Sequence, residues 1–178
     1  MAMVGLFWIA EGDVYVGAKP SGLAPGARLT PEGVMALGDG QEAFFPWEDV
    51  HTLTAAGVPV KSMRRNVGAV GQTVKRNVGM LLDLALGVGL GTEEAPTMTL
   101  RVTDAEGGDT ELTVYTAAAI GYSQAEHDLS LELLTRLTEG AGTLHTTLAA
   151  MADWGRGNGG STPRASDREG LLRTWTES

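Results

Sequence analysis

The chain contains no cysteine, which excludes a disulfide framework, a thiolate metal site and a cysteine nucleophile. A protein without disulfides fits a reducing compartment, so we expect a cytoplasmic location. Long apolar runs are also missing. The longest, Val78 to Leu90, has 13 residues and contains Asp83, whereas a helix needs about 20 apolar residues to span a bilayer. We therefore expect no transmembrane helix.

Basic residues are scarce, at 13 against 22 acidic residues, and the net charge of −9 disfavours nucleic acid as a partner. The few cations are concentrated, because no acidic residue lies between Asp49 and Asp83 while five basic residues do. This segment carries +5, and the remainder carries −14 from 8 basic and 22 acidic groups. We expect anion or lipid contact from its basic side chains, which are Lys61, Arg64, Arg65, Lys75 and Arg76.

Catalytic and metal-binding motifs are incomplete. The three histidines have no paired spacing, so no metal site is expected. The stretch from Gly121 to Ala125 is similar to a nucleophile elbow, but its fifth position is alanine rather than glycine. Ser123 is better explained as a helix cap, and no phosphate-binding loop is present. The sequence therefore predicts a protein that is not an enzyme and has no cofactor.

Short strands separated by turns dominate the first sixty residues. Glu11-Gly12-Asp13 predicts one hairpin turn and Pro31-Glu32-Gly33 predicts a second. Two further strands with alternating polarity, around Met98 to Val102 and Leu112 to Val114, follow later in the chain. We predict an α+β fold with about seven strands, in which Trp8 and Trp47 anchor the core.

Helices are predicted after the strands. Ser123 and Glu126 have the spacing of a capping box, and the leucine stripe that follows is expected to end at Gly140. A shorter helix is predicted over residues 143–151, a glycine-rich linker over 155–166, and a last turn or two over 167–175. We therefore expect one domain over residues 1–154 and a flexible linker with a short helix over 155–178. Trp154 and Trp175, beside that linker, are candidates for docking a protein partner.

Residues 61–95 interrupt the strand series. Arg65-Asn66-Val67-Gly68 recurs eleven residues later as Arg76-Asn77-Val78-Gly79, and apolar residues step by three or four, which predicts an inserted amphipathic helix. Its glycines lower its helix propensity, so it needs a surface to lie on. Three surfaces remain open: its own domain, a second subunit or other protein partner, and an anionic membrane. For a protein interface we expect the valine stripe, which is Val67, Val70, Val74 and Val78.

Two short motifs carry a family resemblance. The stretch from Leu29 to Val34 and the stretch Phe45-Pro46-Trp47-Glu48-Asp49-Val50, followed by two strands and an amphipathic helix, resemble a bacterial pleckstrin-homology-like domain. The resemblance covers residues 27–60 and 97–140 and implies a small split β-barrel capped by a C-terminal helix. It also implies binding of lipids, peptides or partner subunits without catalytic residues. We expect an interaction or scaffolding module that self-associates as a homo-oligomer or binds a protein. The alternative is a peripheral protein on the inner face of the membrane, which binds anionic lipid through the basic amphipathic helix over residues 61–91.

Overall fold

The structure, a computed structural model, describes residues 1–61, 96–118 and 120–178. These residues form nine strands in two antiparallel sheets and three helices, which confirms the α+β class. The strands are β1 (Ala2–Val4), β2 (Phe7–Ala10), β3 (Asp13–Val16), β4 (Gly26–Leu29), β5 (Gly33–Leu37), β6 (Ala43–Pro46), β7 (Val50–Ala56), β8 (Thr97–Asp104) and β9 (Asp109–Tyr115). The helices are α1 (Gln124–Arg136), α2 (Ala141–Gly157) and α3 (Ala165–Glu177).

The first six strands form one sheet in sequence order, and β7, β8 and β9 form the second. Both predicted hairpins are confirmed. Ala10 pairs with Asp13, which leaves Glu11 and Gly12 as a two-residue loop with φ of 54° and 94°. Two successive positive φ angles define the turn type whose twist matches the flanking strands. The turns encoded in the sequence therefore set the alternating direction of consecutive strands in the first sheet.

One face of the six-stranded sheet lies on the core. Apart from Phe7, its cross-strand partners are small or branched apolar residues, which pack closely against each other and against the second sheet. Helices α1, α2 and α3 complete the same core. Buried members from the helices are Leu133, Leu134, Leu137, Leu144, Leu148, Met151, Leu172 and Trp175. A single cluster therefore joins both sheets and all three helices.

The two sheets are connected along β9. The backbone N–H of Ala18 donates to the carbonyl of Tyr115 at 2.7 Å. The Gln41 side chain bonds to both backbone groups of Thr113, donating from Nε2 at 2.9 Å and accepting at Oε1 at 3.0 Å. The side-chain amide of Gln41 thus makes the two hydrogen bonds to Thr113 that a residue of a neighbouring strand would make. Among the strands described, no continuous hydrogen-bonded ladder closes the two sheets into a barrel.

The capping box of α1 is confirmed, since the Ser123 hydroxyl accepts from the Glu126 N–H and the Glu126 carboxylate accepts from the Ser123 N–H. The predicted end of this helix was wrong. Helix α1 ends at Arg136, and Gly140 is the N-cap of α2. A glycine between two helices can follow the end of the first or form the N-cap of the second. The apolar stripe also extended past the true end of α1, because Leu137 at its C-cap is buried as well.

Helices α2 and α3 are longer than the sequence predicted. Helix α2 continues through Gly155 to Gly157, and α3 has 13 residues. Residues 155–178, expected as a linker and a short helix, thus contribute Leu172 and Trp175 to the core. No helix in the described parts of the chain combines the length and apolarity needed to cross a bilayer.

Candidate interaction face

Six large side chains form a row along one side of the six-stranded sheet, opposite most of the core, although Met3 at one end packs against the core cluster. Each is the direct cross-strand partner of the next, and direct partners project to the same side of a sheet. We call this set the outer row, and its members in strand order are Met3, Trp8, Tyr15, Arg28, Met35 and Phe44.

The composition of the outer row is unusual for its position. An antiparallel sheet with one face on the core commonly presents polar side chains on the other face. Here only one of the six positions is charged. Tryptophan, tyrosine, phenylalanine, methionine and arginine are also the residue types enriched in protein–protein interfaces. The row therefore has the composition of a contact surface.

The exposure of these side chains shows how the row is built. Phe44 is 48% exposed, and Trp8 and Met35 are half-buried. Tyr15 is only 6% exposed, yet it does not belong to the core cluster. Its direct neighbours in the register are Trp8 and Arg28. The prediction that Trp8 anchors the core is wrong, because the register turns it to the opposite side of the sheet.

The charges on this face cancel. Arg28 Nη2 donates to Asp13 Oδ1 at 2.5 Å, and the Tyr15 hydroxyl lies 3.5 Å from Asp13 Oδ2. Burial raises the pKa of the Tyr15 phenol, and the neighbouring Asp13 carboxylate raises it further. The tyrosine therefore stays neutral, and the ion pair leaves the centre of the row without net charge.

Two donors in the outer row have no acceptor. The indole Nε1–H of Trp8 and the Nε–H of Arg28 are shielded from solvent and hydrogen-bond to nothing in the described ranges. A buried donor left unpaired costs about 1–3 kcal/mol. The row is therefore a place where local hydrogen bonding is incomplete, which is uncommon in native structures.

Most of the predicted contact residues lie outside the described residues. These are Arg64, Arg65, Lys75 and Arg76 for anions, and Val67, Val70, Val74 and Val78 for protein. Lys61 is described and its side chain is exposed, while its backbone N–H donates to the carbonyl of Tyr122 at 2.9 Å. The structure does not bring Lys61 together with the outer row.

The two flanks of the predicted insertion are attached to one loop. Lys61 is bonded to Tyr122, and the carbonyl of Pro96 accepts from the N–H of Thr116 at 2.9 Å. The Tyr122 hydroxyl accepts from two backbone N–H groups, those of Ala117 and Ala118. Burial raises the pKa of Tyr122 to about 12, so its phenol is neutral and fixed within this loop. Tyr122 and Thr116 thus hold Lys61 and Pro96, the two described residues that flank the predicted insertion.

The two tryptophans predicted to dock a partner contact each other. The rings of Trp154 and Trp175 lie edge to face, with centroids 5.8 Å apart. Trp175 is buried in the core, and Trp154 is partly buried against it. The structure places this pair within the chain because α3 packs on the preceding helices.

A cleft of about 510 Å³ lies between the β4–β5 turn and the start of α2. Its lining includes Glu32, Trp47, Glu48 and His145. The Trp47 indole N–H donates to the Thr30 carbonyl at 2.7 Å, and the ring packs against the core, so Trp47 anchors the fold as predicted. The free N–H groups at the start of α2 favour an anion, whereas the two carboxylates disfavour one. The electrostatics of this cleft therefore favour no single class of ligand.

Comparisons with protein-family models, with curated proteins and with solved structures find no match for this chain. The outer row was not predicted from the sequence, although a signal for it exists. Phe7-Trp8-Ile9 and Val14-Tyr15-Val16 are apolar at consecutive positions, which places apolar groups on both faces of each strand. The register that aligns Trp8 with Tyr15 and Arg28 becomes visible only once the strands are paired.

Proposed function

We propose that this chain is a non-catalytic protein-interaction module whose outer row binds another protein surface. The observation that carries the proposal is the unbroken cross-strand row of interface-type side chains on the face opposite the core. A scaffold of two sheets fixes those side chains without a loop rearrangement, and binding surfaces on such a frame change little when they engage a partner.

We further propose a split-barrel architecture of the pleckstrin-homology-like kind. The sequential antiparallel order of the strands, the Gln41 and Ala18 bonds to β9, and the amphipathic helix after the last strand support it. Three of the six strands, β1 to β3, precede the residues that the resemblance covers, and they supply Met3, Trp8 and Tyr15 to the outer row.

The size of the outer row indicates a transient complex. Six strands about 4.8 Å apart and four residues long give a face of about 24 by 13 Å, or roughly 300 Å². Patches of this size are common among functional contact sites on monomeric proteins. They are smaller than the roughly 800 Å² that each partner buries in a stable complex. We therefore expect a weak, reversible association.

Site-specific photo-crosslinking tests this function. A benzophenone side chain at Phe44 in the native host should give one crosslinked protein, identified by mass spectrometry of the adduct. The same probe at Thr54, exposed on the second sheet, is the matched control. The Phe44 adduct should disappear when Met35→Glu is added, because a carboxylate then lies at the centre of the apolar contact. The proposal fails if Phe44 gives no adduct beyond those of the Thr54 control.

A further inference from the structure

We infer that the protein partner contributes an extended, basic segment, which lies in a groove at the free edge of β6 and pairs with the backbone of that strand. This inference rests on the proposed function, since Phe44 belongs both to the outer row and to the lining of this groove. It is carried by the backbone groups of the edge, the position of the groove and the charge of its lining.

The free edge of β6 presents unused backbone groups. Strand β6 is the last strand of the six-stranded sheet. The N–H of Trp47 donates to the carbonyl of Glu32, so these two residues form a hydrogen-bonded pair. Because bonded and non-bonded pairs alternate along an antiparallel ladder, Met35 and Phe44 form a non-bonded pair. The N–H and C=O of Phe44 therefore point away from β5, and no backbone group in the described parts of the chain bonds to them.

Within β6, only Phe44 can exchange hydrogen bonds at this edge. Pro46 has no N–H, and its carbonyl accepts from the N–H of Asp49 at 2.9 Å. A proline in a short edge strand also limits pairing between identical edges. An added strand would exchange two hydrogen bonds with Phe44, as peptides do when they extend a sheet at its edge. This single position sets the register of the peptide.

A groove of about 350 Å³ lies beside this edge. Phe44 and Phe45 line it from β6, and Val102 lines it from β8. The two sheets are joined farther along β9, where the Gln41 side chain bonds to Thr113. Toward the β8–β9 turn the sheets separate, which leaves a space beside β6. An extended segment can enter this space, because strands in a sheet are spaced about 4.8 Å apart.

The charge of the groove is complementary to a basic segment. Asp49, Asp104 and Glu106 line it, and none of its described lining residues is lysine, arginine or histidine. The turn orients Asp104, whose Oδ1 accepts from the N–H groups of Glu106 and Gly108 at 3.0 Å and 2.7 Å. The net charge of −9 adds a long-range attraction for cations. A segment that carries both cationic and apolar side chains matches the carboxylates and the apolar part of the lining.

Nuclear magnetic resonance of the full chain tests the pairing, with a blocked six-residue peptide that alternates lysine and valine as the probe. The Phe44 amide should shift and exchange more slowly with solvent when the peptide is added. The Phe45 amide, which already faces β5, is the internal reference and should keep its exchange rate. The same peptide with methylated backbone nitrogens keeps its charges but loses its donors, so it should bind about fivefold more weakly or less well still.

Charge variants test the acidic lining. Glu106→Lys should weaken binding of the lysine–valine peptide by about fivefold, because a repulsive pair replaces an attractive one. Glu132→Lys makes the same charge change at an exposed position on α1 and should weaken binding by less than about twofold, since salt screens distant charges. Circular dichroism verifies that both variants are folded.

Slow exchange of the Phe44 amide before any peptide is added would mean that the edge is already paired, which overturns the inference. An amide that the peptide leaves unchanged, or equal effects of Glu106→Lys and Glu132→Lys, overturns it as well.

The Phe44 photo-crosslink separates this inference from the proposed function. If the adduct forms in the host and persists when Glu106→Lys is added, the proposed function holds and the groove is not the site of the partner. If the peptide pairs with Phe44 but the host gives no adduct, the groove binds basic segments and the proposed function of the outer row fails.

Discussion

Glu126 connects local and distant parts of the chain. Its carboxylate accepts from the N–H of Ser123 within the capping box and from Nε of Arg168 on α3 at 2.5 Å. Burial acts to raise the pKa of Glu126, but the hydrogen bonds from Arg168 and Ser123 outweigh it and hold the pKa below its ordinary value. The charged carboxylate therefore stabilises the attachment of α3 to α1.

We expect Glu126→Gln to lower the free energy of unfolding by about 3 kcal/mol at pH 7, because it leaves Arg168 largely buried without a counter-charge. A lowered pKa stabilises the fold at pH values above the unfolded carboxyl pKa of about 4.3, and this stabilisation is lost as the pH falls through the folded value. The gap between wild type and variant should therefore shrink below about pH 4. Urea unfolding at several pH values measures it.

The control is Glu132→Gln, since Glu132 is exposed on the same helix. It should change stability by less than about 0.5 kcal/mol at every pH. Parallel pH curves for wild type and Glu126→Gln would contradict the role assigned to this carboxylate.

The capping box shows which contacts a local sequence pattern can predict. Ser123 and Glu126 lie three residues apart, so their reciprocal bonds follow from local helix geometry and were predicted correctly. Arg168 is 42 residues from Glu126, and no local pattern connects them. Gln41 and Thr113 are 72 residues apart, so the bonds that join the two sheets could not be predicted either.

At the scale of elements, α2 shows why a glycine was misinterpreted. Gly155 was predicted to begin a linker because glycine weakens helices. In the structure it lies inside α2, where a Cβ atom would come within 2.3 Å of Ile9 Cγ2 on β2. Glycine is present there because the helix approaches the sheet closely. Helix propensity alone does not distinguish a glycine that permits close packing from a glycine in a flexible linker.

Gly155→Ala should destabilise the protein by about 1–2 kcal/mol, since Ile9 is fully buried and overpacking outweighs the gain in helix propensity. Gly142→Ala in the same helix is the matched variant, because nothing lies within 4 Å of its added Cβ. It should be neutral or stabilising by up to about 1 kcal/mol. Thermal unfolding compares the two. Equal shifts for both variants would contradict the close approach of α2 to β2.

At the scale of the whole molecule, most strands and turns were predictable because their signals are local, although the described residues form nine strands where about seven were predicted. The outer row depends on the register of six strands, and the core depends on three helices that meet two sheets. A linker over residues 155–166 was expected between the last two helices, and in the structure only residues 158–164 lie between them. The glycine content of this linker, however, suggested that the residues after it form a loosely attached tail, whereas α3 is part of the core.

A variant that ends at Asn158 tests whether α3 belongs to the folding unit. Removing Leu172 and Trp175 from the core should cost at least about 3 kcal/mol, because large buried side chains contribute 2–5 kcal/mol each. For a chain of this size, that corresponds to a fall in melting temperature of about 6 °C or more, measured by circular dichroism. A two-glycine insertion after Gly159 keeps α3 and should cost less than about 1 kcal/mol, since lengthening a loop changes its closure entropy only slightly. An unchanged melting temperature for the truncated chain would mean that α3 is a separate tail, as composition alone suggested.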